Sequence, residues 1–208
     1  MCVVGKDLLE RLQREYRLVW PFDPAHFDGD GYVLSVAENV TIHYLDFENV
    51  VSLEFVHIPW FLVGYMTTKS KFGRLGLMFS NSAKAHSGFI GRIVLELTNV
   101  SKLHKPITIS KGEPLIHLDF WTRLGKPSPY DGKYMYQHMS EEEIRMIEPF
   151  AVKSSKIGSP EEALNIQLPR QQIRSQRVQV NSNSGIAIEV LFPRGTGVLA
   201  MDIRCHSS

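Results

Sequence analysis

The chain has 208 residues, 43% of them hydrophobic and 22% charged, with a formal net charge of +1. That is the composition of a globular protein long enough to bury a sizeable core. It excludes bulk electrostatic attraction to nucleic acid or to an anionic membrane surface, and no apolar run approaches the length that spans a bilayer.

Cys2 and Cys205 stand near opposite ends of the chain, so neither a disulfide framework nor a Cys-based zinc site follows. A reducing, cytoplasmic location is the plain expectation. The opening "MCVVGKDLLERLQREYRLVW" mixes its charges among apolar residues at helical spacing, unlike a targeting peptide. It predicts a helix over 5–17, with Leu8, Leu9, Leu12 and Tyr16 as its apolar stripe. "WPFDPAHFDGDG" then reads as loop.

From Tyr32 to about Phe120 the pattern is short strands separated by turn residues: "GYVLSV", "VTIHYLDF", "VVSLEFV", "RLGLMFS", "IGRIVLELTN", "KPITIS" and "EPLIHLDFW". So many short strands predict a β-sandwich or barrel. "SEEEIRMIEPF" predicts a short helix near 140–148, capped by Ser140 and Glu143 and ended by Pro149. "AVKSSKIGSPEE" reads as a linker, and "GIAIEVLF" with "GVLAMDIR" as a final hairpin joined by "PRGTG".

Three segments hold polar groups where a pure core would not. "TTKSKFGRLGL" sets Lys69, Lys71 and Arg74 around Ser70 and Gly73, suited to an anion or simply to solvent. In "GFIGRIVLELTN", alternation puts Ile93 and Leu95 on one face and Arg92, Val94 and Glu96 on the other. Glu96 is then an exposed edge residue, a salt-bridge partner of Arg92, or a general base. "SPYDGKYMYQ" offers Tyr130, Lys133, Tyr134, Tyr136 and Gln137 to a base and its phosphates, or packs them back on the body.

In this order the three segments resemble the dCTP deaminases, the deaminating branch of the trimeric dUTPase superfamily. The matching stretches are "KSKFGRLGL", "GFIGRIVLELTN" and "KYMYQ", flanked by "IPWFLVGYMTTKS" and "KPITISKGEPLIHLDF". The resemblance is strong from about Ile58 to Gln137, looser toward the first helix, and absent after about residue 150. It implies a mainly β, dUTPase-like jelly-roll barrel of the β-clip type over 1–150, whereas 151–208 has no counterpart in the family and reads as a C-terminal β-hairpin extension.

The resemblance also implies an activity: hydrolysis of dCTP, or a related pyrimidine nucleotide, to dUTP and ammonia. Glu96 would carry the protons, Ser70 would orient the amine or the water, and Arg74 would hold the arrangement electrostatically. The carbonyl near Ala83 would help bind the water. Lys133, Gln137, Tyr130 and Tyr134 would close over the nucleotide, with Lys69, Lys71, Lys84 and His86 lining its approach.

No Pro-Cys-x-x-Cys element is present, so the implied mechanism uses a carboxylate without zinc. His104 and His117 could meet across a hairpin, but two imidazoles make no zinc site. Magnesium enters only with the triphosphate. The implied assembly is a homotrimer with active sites between subunits, needing neither membrane nor nucleic acid. His86 and Ser87 stand where the family carries Asp and Pro, and Lys84 stands nearest its phosphate-binding Arg. That change turns the reading away from a dUTP pyrophosphatase and leaves a non-catalytic nucleotide-binding or regulatory protein as the second reading.

Overall fold

The computed structural model describes residues 2–79, 83–123 and 125–165, with the paired strands 187–190 and 203–206. It opens with helix α1 (Lys6–Tyr16), followed by strands β1 (Val19–Trp20), β2 (Phe27–Asp28), β3 (Gly31–Ser35) and β4 (Val40–Ile42). Next come β5 (Phe47–His57), β6 (Leu62–Thr68), the short helix α2 (Ser70–Leu75), β7 (Leu77–Phe79) and β8 (Lys84–Ala85). The two long strands β9 (Ile90–Asn99) and β11 (Pro114–Thr122) flank β10 (Ile107–Ile109), and helices α3 (Glu141–Ser155) and α4 (Pro160–Leu164) follow.

The strands form a sheet of order β1-β5-β9-β7, a second of order β2-β3-β11-β6-β8, and the pair β10-β4. Every strand pairing within them is antiparallel. Leu95 and Leu97 of β9 and Leu118 and Phe120 of β11 are buried in one core with Leu9, Leu12 and Tyr16 of α1. The helix is held by that apolar stripe, which is what the spacing of its leucines demands.

One compact unit extends to Asn165, and residues 166–208 form a second. In the second, β12 (Ala187–Val190) pairs antiparallel with β13 (Ile203–His206), while the "PRGTG" turn expected between them lies outside the described residues. Among the described residues no helix is long and apolar enough to cross a membrane.

The short helix expected near 140–148 needs correction. It runs from Glu141 to Ser155 straight through Pro149, and α4 occupies part of the expected linker. Proline forfeits one hydrogen bond inside a helix, and tertiary anchors beyond it offset the loss. The Ser154 hydroxyl meets the Nε2 of buried His57 at 3.2 Å, and Lys153 lies 4.7 Å from the Tyr16 ring centre. A second small core of Phe55, Ile90 and Ile147 sits with Phe150 packed against it.

His57 donates from Nδ1 to the Tyr16 carbonyl at 2.7 Å, since a carbonyl only accepts. Burial pushes its imidazole down to about 4, against that hydrogen bond. The unfolded ring takes up a proton below about pH 6.5, so the stability contributed by the neutral ring is complete above that pH. It is lost as pH falls toward 4, to the extent of about 3 kcal/mol. The expected result is a melting temperature that drops more steeply across this window in the parent protein than in His57→Asn. Parallel profiles for the two would refute it.

Candidate functional site

Strand β9 lies between β5 and β7 in its sheet, with β7 paired only to Leu97–Asn99, just beyond Glu96. Ile93, Leu95 and Leu97 are buried on one face, while Arg92, Val94 and Glu96 are half-buried on the other. Glu96 stands opposite Asn49 of β5, and both line a cavity of about 610 Å³. Nor does Arg92 pair with Glu96. Its guanidinium meets Glu143 at 2.8 Å, and that ion pair holds the Glu143 carboxyl below the ordinary glutamate range.

One wall of the cavity is the segment 130–138, which contributes Tyr130, Tyr134, Gln137 and His138. Backbone hydrogen bonds lay it along the start of β9: Tyr130 N–H to Ser87 O at 2.7 Å and Tyr136 N–H to Ile90 O at 2.7 Å. The Arg92 N–H reaches Gln137 O at 3.1 Å. So close an approach explains both glycines of "GFIG". At Gly88, with φ +80°, a Cβ would stand 2.8 Å from the Cβ of Pro129; at Gly91 it would press on Gln137. His86 stacks on Tyr130 at 6.1 Å between ring centres, and Phe89 meets the same ring edge-on at 5.6 Å. Lys84 lines the cavity beside His86.

The structure therefore brings together Glu96, Lys84, His86, Tyr130, Tyr134 and Gln137. It keeps Ser70 and Arg74 apart from them. Both are exposed on α2, where Arg74 borders a separate recess of about 350 Å³ beside Ser101 and Lys102. Lys69 and Lys71 are each 2.7 Å from a carboxylate, of Asp28 and Glu113 respectively. Those lysines hydrogen-bond to the two carboxyls and hold both below their usual ranges. Ala83 and Lys133 do not line the cavity. The Ala83 carbonyl accepts the Met66 N–H at 2.7 Å, which leaves its second lone pair.

His104 and His117 do not partner each other. The first stacks on Tyr44 at 3.9 Å, and the second lies 3.6 Å from Asp28. Among the described residues no three His, Cys, Asp or Glu side chains form a metal-holding group.

The family model described as dCTP deaminase-like matches residues 5–123. The chain belongs to the dCTP deaminase-like family. A dUMP-forming dCTP deaminase of Aquifex aeolicus is 26% identical over 179 residues, covering 68% of this chain and 98% of the relative. A dCTP deaminase of Desulfurococcus amylolyticus is 32% identical over 111 residues, covering 52% of this chain and 54% of that one. The chain thus spans little more than half the length of several curated relatives that it matches. The crystal structure of a 2'-deoxycytidine 5'-triphosphate deaminase from Agrobacterium tumefaciens gives a TM-score of 0.50 at 14% identity. It covers 60% of this chain and 48% of that one, a likeness of fold alone. The mainly β fold expected from the resemblance is found, with its N-terminal helix and antiparallel sheets.

Sequence reasoning passed over one carboxylate in this dCTP deaminase-like chain. Glu54 is 1% exposed, deeper than Glu96. Its Oε2 accepts the Ser35 N–H at 2.8 Å, and His26 Nδ1 stands 3.7 Å from Oε1. Burial pushes its carboxyl above the ordinary glutamate range, partly offset by the Ser35 N–H. The signal was present, because Glu54 falls in step with Val50, Ser52 and Val56, all of them buried. Asn49 and His138, which also line the Glu96 cavity, carry no motif that singles them out.

Proposed function

We propose that this chain is an enzyme that removes the 4-amino group of dCTP by hydrolysis, with Glu96 as its proton carrier. The supporting observation is the position of Glu96 in a cavity of about 610 Å³ that also presents Lys84, His86, two tyrosines and Gln137. Glu96 takes a proton from the water that attacks C4. It then delivers protons to the ring nitrogen and to the departing amine, so that dCTP and water give dUTP and ammonia. The tyrosine faces suit a pyrimidine, and Lys84 suits phosphate oxygens.

Ser70 and Arg74 join the site from a neighbouring copy in a homotrimer, since within one chain neither lines it. Glu96 is the only carboxylate among the cavity's described lining residues, so that lining offers no cage for magnesium. The ion fits as a counter-ion bridging the triphosphate oxygens. Such a substrate pool places the protein in cytoplasmic nucleotide metabolism.

The test is ammonia release from dCTP with magnesium present, together with identification of the nucleotide product. Release supports the reading. Binding of dCTP with no ammonia would favour a regulatory nucleotide-binding protein, the reading that His86 and Ser87 support by standing where the family carries Asp and Pro. The Aquifex aeolicus relative is named dUMP-forming, which favours dUMP as end product over the dUTP expected from the sequence. In that case a second water cleaves the α–β phosphoanhydride, and pyrophosphate accompanies the ammonia.

A further inference from the structure

We propose that Arg92 is a positioning residue for the cavity: braced by Glu143, it locks the 130–138 wall onto β9. The proposal rests on the nucleotide reading of that cavity. Arg92 does not line it but lies behind the wall, with side-chain exposures of 18% for Arg92 and 22% for Glu143.

Nη1 of Arg92 donates to the His138 carbonyl at 2.6 Å and to Glu143 Oε2 at 2.9 Å. Nη2 donates to Glu143 Oε1 at 2.8 Å, and Nε to the Leu53 carbonyl at 3.1 Å. The guanidinium thus joins β5, the end of the wall and the first turn of α3. A planar fork with charge-assisted bidentate bonds holds direction as well as distance, which an ammonium does not.

The backbone of Arg92 takes part too, because Gln137 donates from Nε2 to the Arg92 carbonyl at 2.7 Å. Glu143 has a second duty. Its Oε2 accepts the Ser140 N–H at 2.9 Å, completing the capping box that starts α3 two residues after His138. The wall has no helix or strand of its own between Pro129 and Met139. Its order near the cavity therefore rests on these side-chain bonds, on the backbone bonds to Ser87, Ile90 and Arg92, on turns within the segment, and on Tyr130, Met135, Tyr136 and Met139 packed against the two cores.

Glu143→Gln and Arg92→Lys separate this role from mere folding. Glutamine still closes a capping box but loses the ion pair; lysine keeps the charge but loses the fork. For both variants the expected result is a KM for dCTP raised about 10- to 100-fold with kcat within about threefold, the pattern of lost uniform binding. Hydrogen exchange at the Tyr136 amide is expected to quicken by a similar factor. Two folded variants with parental KM and parental Tyr136 exchange would overturn the proposal, as would a loss confined to kcat. If the parent releases no ammonia, the deaminase reading falls alone, and the exchange measurement still decides the clamp.

Discussion

Glu96→Gln is expected to slow ammonia release from dCTP by about 100- to 10,000-fold, the range for losing a positioned general base. Glutamine preserves the length and the planar end of the side chain, so the cavity keeps its shape. It cannot accept the proton of the attacking water. Nucleotide affinity, measured by calorimetry, is expected to stay within about tenfold of the parent, because the wall and the cationic side remain. A variant that keeps more than about a tenth of the parental rate would remove Glu96 from the chemistry.

Arg74→Ala is expected to be comparably inactive, and mixing it with Glu96→Gln is expected to restore activity. Arg74 and Glu96 border different cavities of one chain, so a shared site must draw them from two copies. In randomly mixed trimers each site receives a sound Glu96 half the time and a sound Arg74 half the time. The recovered rate is therefore about one quarter of the parental value. Mixed trimers confirmed by mass spectrometry yet still inactive would sink the shared-site arrangement, as would a monomer by light scattering.

Much of this was legible in the sequence where one physical rule acts alone. The alternation in β9 follows from one face packing into the core and the other facing the cavity, and it placed Glu96 correctly. The stripe of α1 is equally local. Where tertiary contacts override local preference, the reading slipped. "VTIHYLDF" looks like one strand, but β4 stops at Ile42 because Leu45 adopts φ +65° and donates its N–H to Asn99 O. The basic stretch around Ser70 looks like a loop, yet α2 forms with Phe72 buried in the core and with Lys69 and Lys71, which flank Ser70, each in an ion pair. Six residues would not hold a helix alone.

The site divides in the same way. Glu96, Lys84, His86, Tyr130, Tyr134 and Gln137 line one cavity, while Ser70, Arg74 and Lys133 do not line it. The Arg92–Glu143 clamp joins two motifs that had been read for other purposes, a strand arginine and a capping glutamate. No local pattern links residues 51 positions apart.

The two larger sheets end in very short outer strands: Val19–Trp20 and Leu77–Phe79 on one, Phe27–Asp28 and Lys84–Ala85 on the other. Each of these four strands offers only two or three residues as a template for another chain. Continuing their hydrogen-bond ladders into ribbons or fibres is therefore disfavoured. Self-association has to proceed through complementary side-chain surfaces, which favours closed, countable assemblies over open-ended ones.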